Sequence, residues 1–338
     1  MPRKIQVLTN IPPSQIGELP EDLVSRFKIE YVPRLRELSE LKVPWTAIEV
    51  VWIGVSESVD KDLLDKFPNL KVLATSSTGM THIDQKIFEQ NIIPLVTLRN
   101  EKEFLRGITA TAELAWSLFL SSHRKIILSD RKGHHTTEYR ERYFSSQIRG
   151  STIGIIGLGR VGLHIANYAN SFGARVKFTD IASVKHPDFC EEVSLAELCR
   201  SSDAVFVCAS VGFAGYKPIL TGEHIRMLKR GATLVNVSRG GLVDEKEVIA
   251  SLREERISGY ATDVLQIDET ASTRPIYLDE IRSSIASGEN LIVTPHLGGA
   301  CFDALAAVNQ VILKRILEQF EPISTRYSDE AYIQNSIQ

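Results

Sequence analysis

Three glycines, Gly157, Gly159 and Gly162, stand as G-x-G-x-x-G in TIGIIGLGRVG, after a strand-like run and before a helix-like one. That spacing suits a dinucleotide pyrophosphate. The first glycine permits a tight turn, the second lets the phosphates approach the backbone, and the third lets helix and strand pack closely. The helix N-terminus adds unpaired N–H groups and the positive end of its dipole. Asp180 ends the next strand-like run, RVKFTD, 18 residues after Gly162. A carboxylate there accepts hydrogen bonds from ribose hydroxyls and repels a 2′-phosphate. No Arg follows it immediately, so the expected cofactor is NAD rather than NADP.

Two later segments carry groups suited to proton transfer and anion binding. Arg239 follows a strand-like run in LVNVSRGGLVDE, beside Gly240 and Gly241, and His296 lies in IVTPHLGGA between Pro295 and a glycine pair. An imidazole exchanges protons in both directions near neutral pH, and a guanidinium grips a carboxylate through two parallel hydrogen bonds. Taken alone, such an Arg is more often a surface ion-pair residue and such a His an ordinary satisfied polar group. Their places at strand carboxyl ends, downstream of a nucleotide motif, favour the functional reading, because open α/β sheets bind ligands there.

The elements that must position these groups show in the hydrophobic pattern. Apolar, β-branched runs at Ile5–Thr9, Phe27–Val32, Val50–Val55, Val72–Thr75 and Ile92–Thr97 alternate with helix-compatible stretches, as in a parallel α/β sheet. A buried helix is expected over Thr109–Lys125, with Thr residues and Glu113 at its start for capping, then an exposed polar arm over Asp130–Arg149. From Ser151 the βαβ rhythm resumes with six expected strands: Thr152–Ile156, Arg175–Thr179, Ala204–Ala209, Thr233–Val237, Gly259–Val264 and Leu291–Thr294. A capping-box spacing, Asp244 to Glu247, opens one intervening helix, and a long helix is expected over Asp303–Gln319.

The whole chain has 338 residues, 43% of them apolar and 24% charged, with a net charge of −3. Such a chain reads as two globular domains without disulfide or metal staples. The charge balance gives no footprint for nucleic acid or an anionic membrane, and no apolar run is long enough to span a bilayer. Cys190, Cys199, Cys208 and Cys301 form no C-x-x-C pair and read as free thiols of a reducing, cytoplasmic compartment. His134 and His135 lie in a polar stretch without partner ligands, so no metal site is expected.

GLGRVG with Asp180, NVSRGGLVDE, ATDV around Asp263 and TPHLGG, in that order, resemble the D-isomer-specific 2-hydroxyacid dehydrogenases over nearly the whole chain. The weaker STGMTHID (Ser77–Asp84) and TAE (Thr111–Glu113) segments agree. The resemblance implies a Rossmann-type doubly wound sheet domain, residues 107–299, inserted into a smaller flavodoxin-like α/β substrate domain of residues 1–106 and 300–338. It implies hydride transfer between NAD and a small D-2-hydroxy or 2-keto acid, with His296 as general acid/base, Arg239 as carboxylate anchor, and backbone N–H groups of Thr78 and Gly79 on the substrate. It adds Thr111, Arg160, Val161, Val237, Ser238, Asp263 and Gly298 to the cofactor contacts. It also implies a homodimer through the Thr109–Arg149 region, and no regulatory module after the last helix.

Several residues depart from the family pattern. The usual D-V-F-x-x-E-P reads DVLQIDET, so the acidic partner of His296 is expected at Asp268, with Glu269 as the alternative. Ser77 replaces a loop glycine, Thr81 an Asp, and Thr75 a frequent Arg, while Cys208–Ala209–Ser210 stands in place of H-V-P. These changes bear on substrate choice. An NAD(H)-sensing scaffold of corepressor type on the same fold is the alternative function. Formate or phosphite oxidation is a weaker one.

Overall fold

The computed structural model describes residues 3–36, 42–54, 57–90, 92–211, 217–267 and 274–321. These divide into two compact units, one built from residues up to Leu105 and from Cys301 onward, the other from residues between Arg106 and Ala300.

The first unit holds five parallel strands: β1 (Ile5–Thr9), β2 (Phe27–Tyr31), β3 (Val50–Ile53), β4 (Val72–Thr75) and β5 (Leu95–Val96). They lie side by side in the order β2-β1-β3-β4-β5, the flavodoxin-like order. Strands β3 and β4 are buried at every residue, as expected of a parallel sheet covered on both faces. The long helix Phe302–Glu318 returns to this unit. Its buried Asn309 accepts from the Ser76 hydroxyl at 2.7 Å, and Ser76 accepts from the Trp52 indole at 2.9 Å. The Asn309 amide donates to the carbonyl of Gln15 at 2.9 Å. This chain of bonds fixes the start of the loop that follows β4.

The second unit holds seven parallel strands: β6 (Thr152–Ile156), β7 (Arg175–Thr179), β8 (Cys190–Glu192), β9 (Ala204–Val207), β10 (Thr233–Asn236), β11 (Gly259–Thr262) and β12 (Leu291–Val293). Their order, β12-β11-β10-β9-β6-β7-β8, is the Rossmann arrangement extended by one strand. The sequence predicts six strands. The additional β8 spans three residues, two of them exposed glutamates, and it pairs only with β7 at the sheet edge.

The helix expected near Thr109 runs from Ala110 to His123 and buries Trp116 and Phe119 against Phe206. The Thr109 hydroxyl does not cap the backbone. It donates to the Glu113 carboxylate instead, at 2.5 Å. Asp244 does cap its helix, Glu245–Arg253, accepting from the Glu247 N–H at 3.2 Å, whereas Glu247 turns its carboxylate to Arg226. Among the described residues no helix is long and apolar enough to cross a membrane.

Candidate active site

The glycine turn joins β6 to the helix Arg160–Ser171. Gly157 has φ +89°, and a Cβ there would lie 2.5 Å from the Ala209 Cα, so both conformation and space demand glycine. A Cβ on Gly162 would meet the Gly157 carbonyl oxygen at 2.2 Å. At Gly159 a Cβ would have no neighbour within 4 Å. Open space therefore lies over the turn, where no side chain caps the helix start. The first N–H groups of a 12-residue helix thus face a place that a pyrophosphate fits. Asp180 closes the turn from β7, accepting from the Leu158 N–H at 2.8 Å and the Ala182 N–H at 3.1 Å. Arg160 turns its guanidinium to the carbonyl of Ile108, and Val161 packs against the core.

The tips of β9, β10, β11 and β12 are tied to one another. Val237 donates its N–H to the Val207 carbonyl at 3.3 Å, and the Ser238 hydroxyl donates to the Ala209 carbonyl. Asn236, wholly buried, uses its amide oxygen for the Ser238 N–H and its amide nitrogen for the Arg239 carbonyl, each at 3.0 Å. The half-buried Arg239 donates to the carbonyl of Ser238 at 2.7 Å.

Asp263, 2% exposed, organises the His296 loop. One carboxylate oxygen accepts from the Thr294 hydroxyl at 2.6 Å and the Leu297 N–H at 2.7 Å. The other accepts from the Gly298 N–H at 2.8 Å. Thr111 donates its hydroxyl to the Gly298 carbonyl at 2.9 Å. Within this frame His296 adopts φ +58° and donates its N–H to the carbonyls of Asp263 and Thr294. A left-handed histidine costs of order 1 kcal/mol or more, and such conformations persist where the surroundings over-determine them. Partial desolvation, reinforced by the Arg239 guanidinium, lowers the proton affinity of the His296 ring, and the Asp263 carboxylate opposes this. The neutral ring is therefore favoured in the free protein.

The second unit thus brings together Thr111, the glycine turn, Asp180, Val237, Ser238, Arg239, Asp263, His296 and Gly298. Asp268 and Glu269 lie outside the described residues. Thr78 and Gly79 belong to the loop after β4 in the first unit, where the Gly79 N–H donates to the Ser77 hydroxyl at 3.0 Å. The serine that replaces the family glycine occupies one of the two donors expected for a substrate. Sequence reasoning missed Asn236, although an Asn at a strand end before Ser-Arg-Gly is an Asx-turn signal. It also missed Thr294, whose hydroxyl fastens the His296 loop to Asp263.

Sheet order, glycine turn and uncapped helix start define a Rossmann-type dinucleotide-binding fold. Residues 116–298, more than half of the chain, match the D-isomer specific 2-hydroxyacid dehydrogenase, NAD binding domain. The chain belongs to this family of NAD-dependent oxidoreductases. It is 27% identical to a glyoxylate reductase of Thermococcus onnurineus over 332 residues, covering 94% of this chain and 92% of that protein. The fold is shared with a D-lactate dehydrogenase from Aquifex aeolicus complexed with NAD and lactic acid, at TM-score 0.75 and 22% identity over 93% of this chain and 97% of the other. It is also shared with an acyclic imino acid reductase in complex with NADPH and D-Arg, at TM-score 0.72 and 24% identity over 94% and 97% of the two chains.

Proposed function

We propose that the protein interconverts a small D-2-hydroxy acid and its 2-keto acid, with Arg239 as carboxylate anchor and His296 as general acid/base. The observation that carries this reading is the pairing of the two side chains. Arg239 at the tip of β10 is close enough for its charge to lower the proton affinity of His296. The two segments are also tied through Asp263, whose N–H donates to the Asn236 carbonyl at 2.9 Å and whose carbonyl accepts the His296 N–H at 3.1 Å. A guanidinium and a proton-exchanging imidazole are what a 2-keto acid requires, one for its carboxylate and one for its 2-oxygen.

Bound NAD(H) supplies the hydride. Arg239 holds the substrate carboxylate and stabilises charge developing on the neighbouring oxygen. His296 donates a proton to the 2-oxygen in reduction and removes it in oxidation. Asp180 reads the ribose hydroxyls, and the helix N-terminus at Arg160–Gly162 holds the pyrophosphate. Thr78 and Gly79 are the proposed substrate-side donors, and Asp268, with Glu269 as the alternative, is the proposed acidic partner of His296.

The test is turnover. NADH oxidation should be observed with at least one of glyoxylate, pyruvate, hydroxypyruvate or phosphohydroxypyruvate. Glyoxylate is the first choice because the Thermococcus relative is named for it. Arg239→Ala should lower kcat/KM by about 10²-fold or more, chiefly through KM, because one charge-assisted anchor is lost. NADH binding without turnover on any 2-keto acid would favour the sensing role.

A further inference from the structure

Glu245 is fully buried, 0% exposed, at the first position of the helix Glu245–Arg253. No step of the proposed reaction uses it. A first-turn glutamate ordinarily projects into water, and a buried carboxyl is retained only where it makes specific bonds. Here one carboxyl oxygen accepts the Gln266 N–H at 3.0 Å. The Gln266 carbonyl in turn accepts from the Ile276 N–H at 2.9 Å. Gln266 is thus held on both sides, its N–H by Glu245 and its carbonyl by Ile276.

The third side is the arginine turn. A Cβ built on Gly240 would lie 1.9 Å from the Leu265 carbonyl carbon and 2.1 Å from the Gln266 nitrogen. Backbone therefore presses directly on backbone, with no side chain between to absorb a shift. Gly240 follows Arg239 and begins the one-turn 3-10 helix Gly240–Leu242, from which the chain passes through Asp244 to Glu245. The Arg239 carbonyl is held by Asn236 as well. A closed circuit results: Arg239 turn, Leu265–Gln266 peptide, Glu245 carboxyl, and back along the chain to Arg239. In sequence, Gln266 also stands two residues before Asp268.

We infer that Glu245 is a positioning residue for the 2-keto acid reaction. By clamping the Leu265–Gln266 peptide against Gly240 it fixes the turn from which the Arg239 guanidinium reaches the substrate carboxylate. The inference rests on the function proposed for Arg239. Glu245→Met fills the same space without an acceptor, so the peptide is released from one side and the turn loosens. Misplacement of an anchor by a fraction of an ångström to one ångström costs about 10- to 100-fold in kcat/KM.

The experiment is steady-state kinetics with a 2-keto acid and NADH, alongside NADH binding measured by fluorescence titration. Glu245→Met should raise KM for the keto acid and lower kcat/KM by about 10-fold or more with NADH affinity unchanged. Glu245→Gln keeps an oxygen acceptor for the Gln266 N–H and should recover most of the loss. In the double variant with Arg239→Ala, Glu245→Met should cost little further, because both act through one side chain. If Glu245→Met does not fold, Glu245→Asp withdraws the acceptor by one methylene and should show the same rise in KM. A folded Met or Asp variant with the wild-type KM, no recovery in the Gln variant, or a full additive loss in the double variant would each overturn the inference. Full activity in Arg239→Ala alone would overturn the functional reading, and this inference with it.

Discussion

Replacing His296 by alanine is expected to lower the rate of 2-keto acid reduction by about 10²- to 10⁴-fold while leaving NADH binding intact. The glycine turn and Asp180 are carried by β6 and β7, four and five strands along the sheet from β12, whose tip carries His296, so the cofactor contacts proposed there lie apart from the proposed proton-transfer group. Stopped-flow reduction and NADH titration on the same preparation check both halves. Unchanged turnover would remove His296 from the chemistry. A matching loss of NADH affinity would make its role structural.

The pH dependence follows from the same surroundings. Desolvation and the Arg239 charge lower the proton affinity of the ring from its usual 6.5. In the proposed reaction, reduction needs the protonated ring, so kcat/KM for the keto acid should fall with rising pH from a midpoint below 6.5. Oxidation of the hydroxy acid needs the neutral ring and should rise through that midpoint to a plateau. A bound substrate carboxylate neutralises Arg239 and removes one of the two lowering influences. The midpoint in kcat should therefore lie higher than that in kcat/KM. A midpoint in kcat/KM above the ordinary histidine value would contradict this account.

The second large effect is expected at Asp263. Its carboxylate gathers Thr294, Leu297 and Gly298 around one buried point. Asp263→Ala leaves these donors without their acceptor and opens space at a site that is 2% exposed. Each buried donor left unsatisfied costs about 1–3 kcal/mol, so a loss of about 3 kcal/mol or more is expected in denaturant unfolding. Asp263→Asn is milder in volume but sets an amide N–H₂ against a backbone N–H. It also removes the negative charge that supports the protonated His296. The Asn variant should show a kcat reduced by about 10²-fold as the loop relaxes, and a reduction profile shifted to lower pH. Wild-type stability in the Ala variant would mean that the loop does not depend on this carboxylate.

Much of this was legible in the residues. The mainly apolar runs of β6, β9 and β10 announce strands buried on both faces, and the glycine turn marks the element after β6 as a candidate phosphate-binding helix. The three-residue β8 was not legible, because two glutamates and a cysteine carry no period and only edge pairing makes them a strand. Thr109 reads as a helix cap, yet its hydroxyl satisfies Glu113, since side-chain partners one turn apart compete with the backbone. The motif marks Asp263 as a candidate site residue, but not as the organiser of the His296 loop. That function depends on three donors 31 to 35 residues away in sequence. Glu245 reads as an ordinary first-turn acid. Its burial arises only when the segment after β11 folds over it, a tertiary event without local signature.

That burial has a thermodynamic side. Removed from water beside the Tyr260 phenol, the Glu245 carboxyl is pushed up from 4.5 to about 7, and the Gln266 N–H only partly offsets the shift. Between those two values the folded chain holds a proton that the unfolded chain releases, so folding takes up a proton. The stability this group contributes is complete below pH 4.5 and is lost as the pH rises through about 7. Near neutrality the heat of unfolding then includes the heat with which the buffer accepts that proton. Calorimetry in buffers of differing ionisation enthalpy would read the exchange directly.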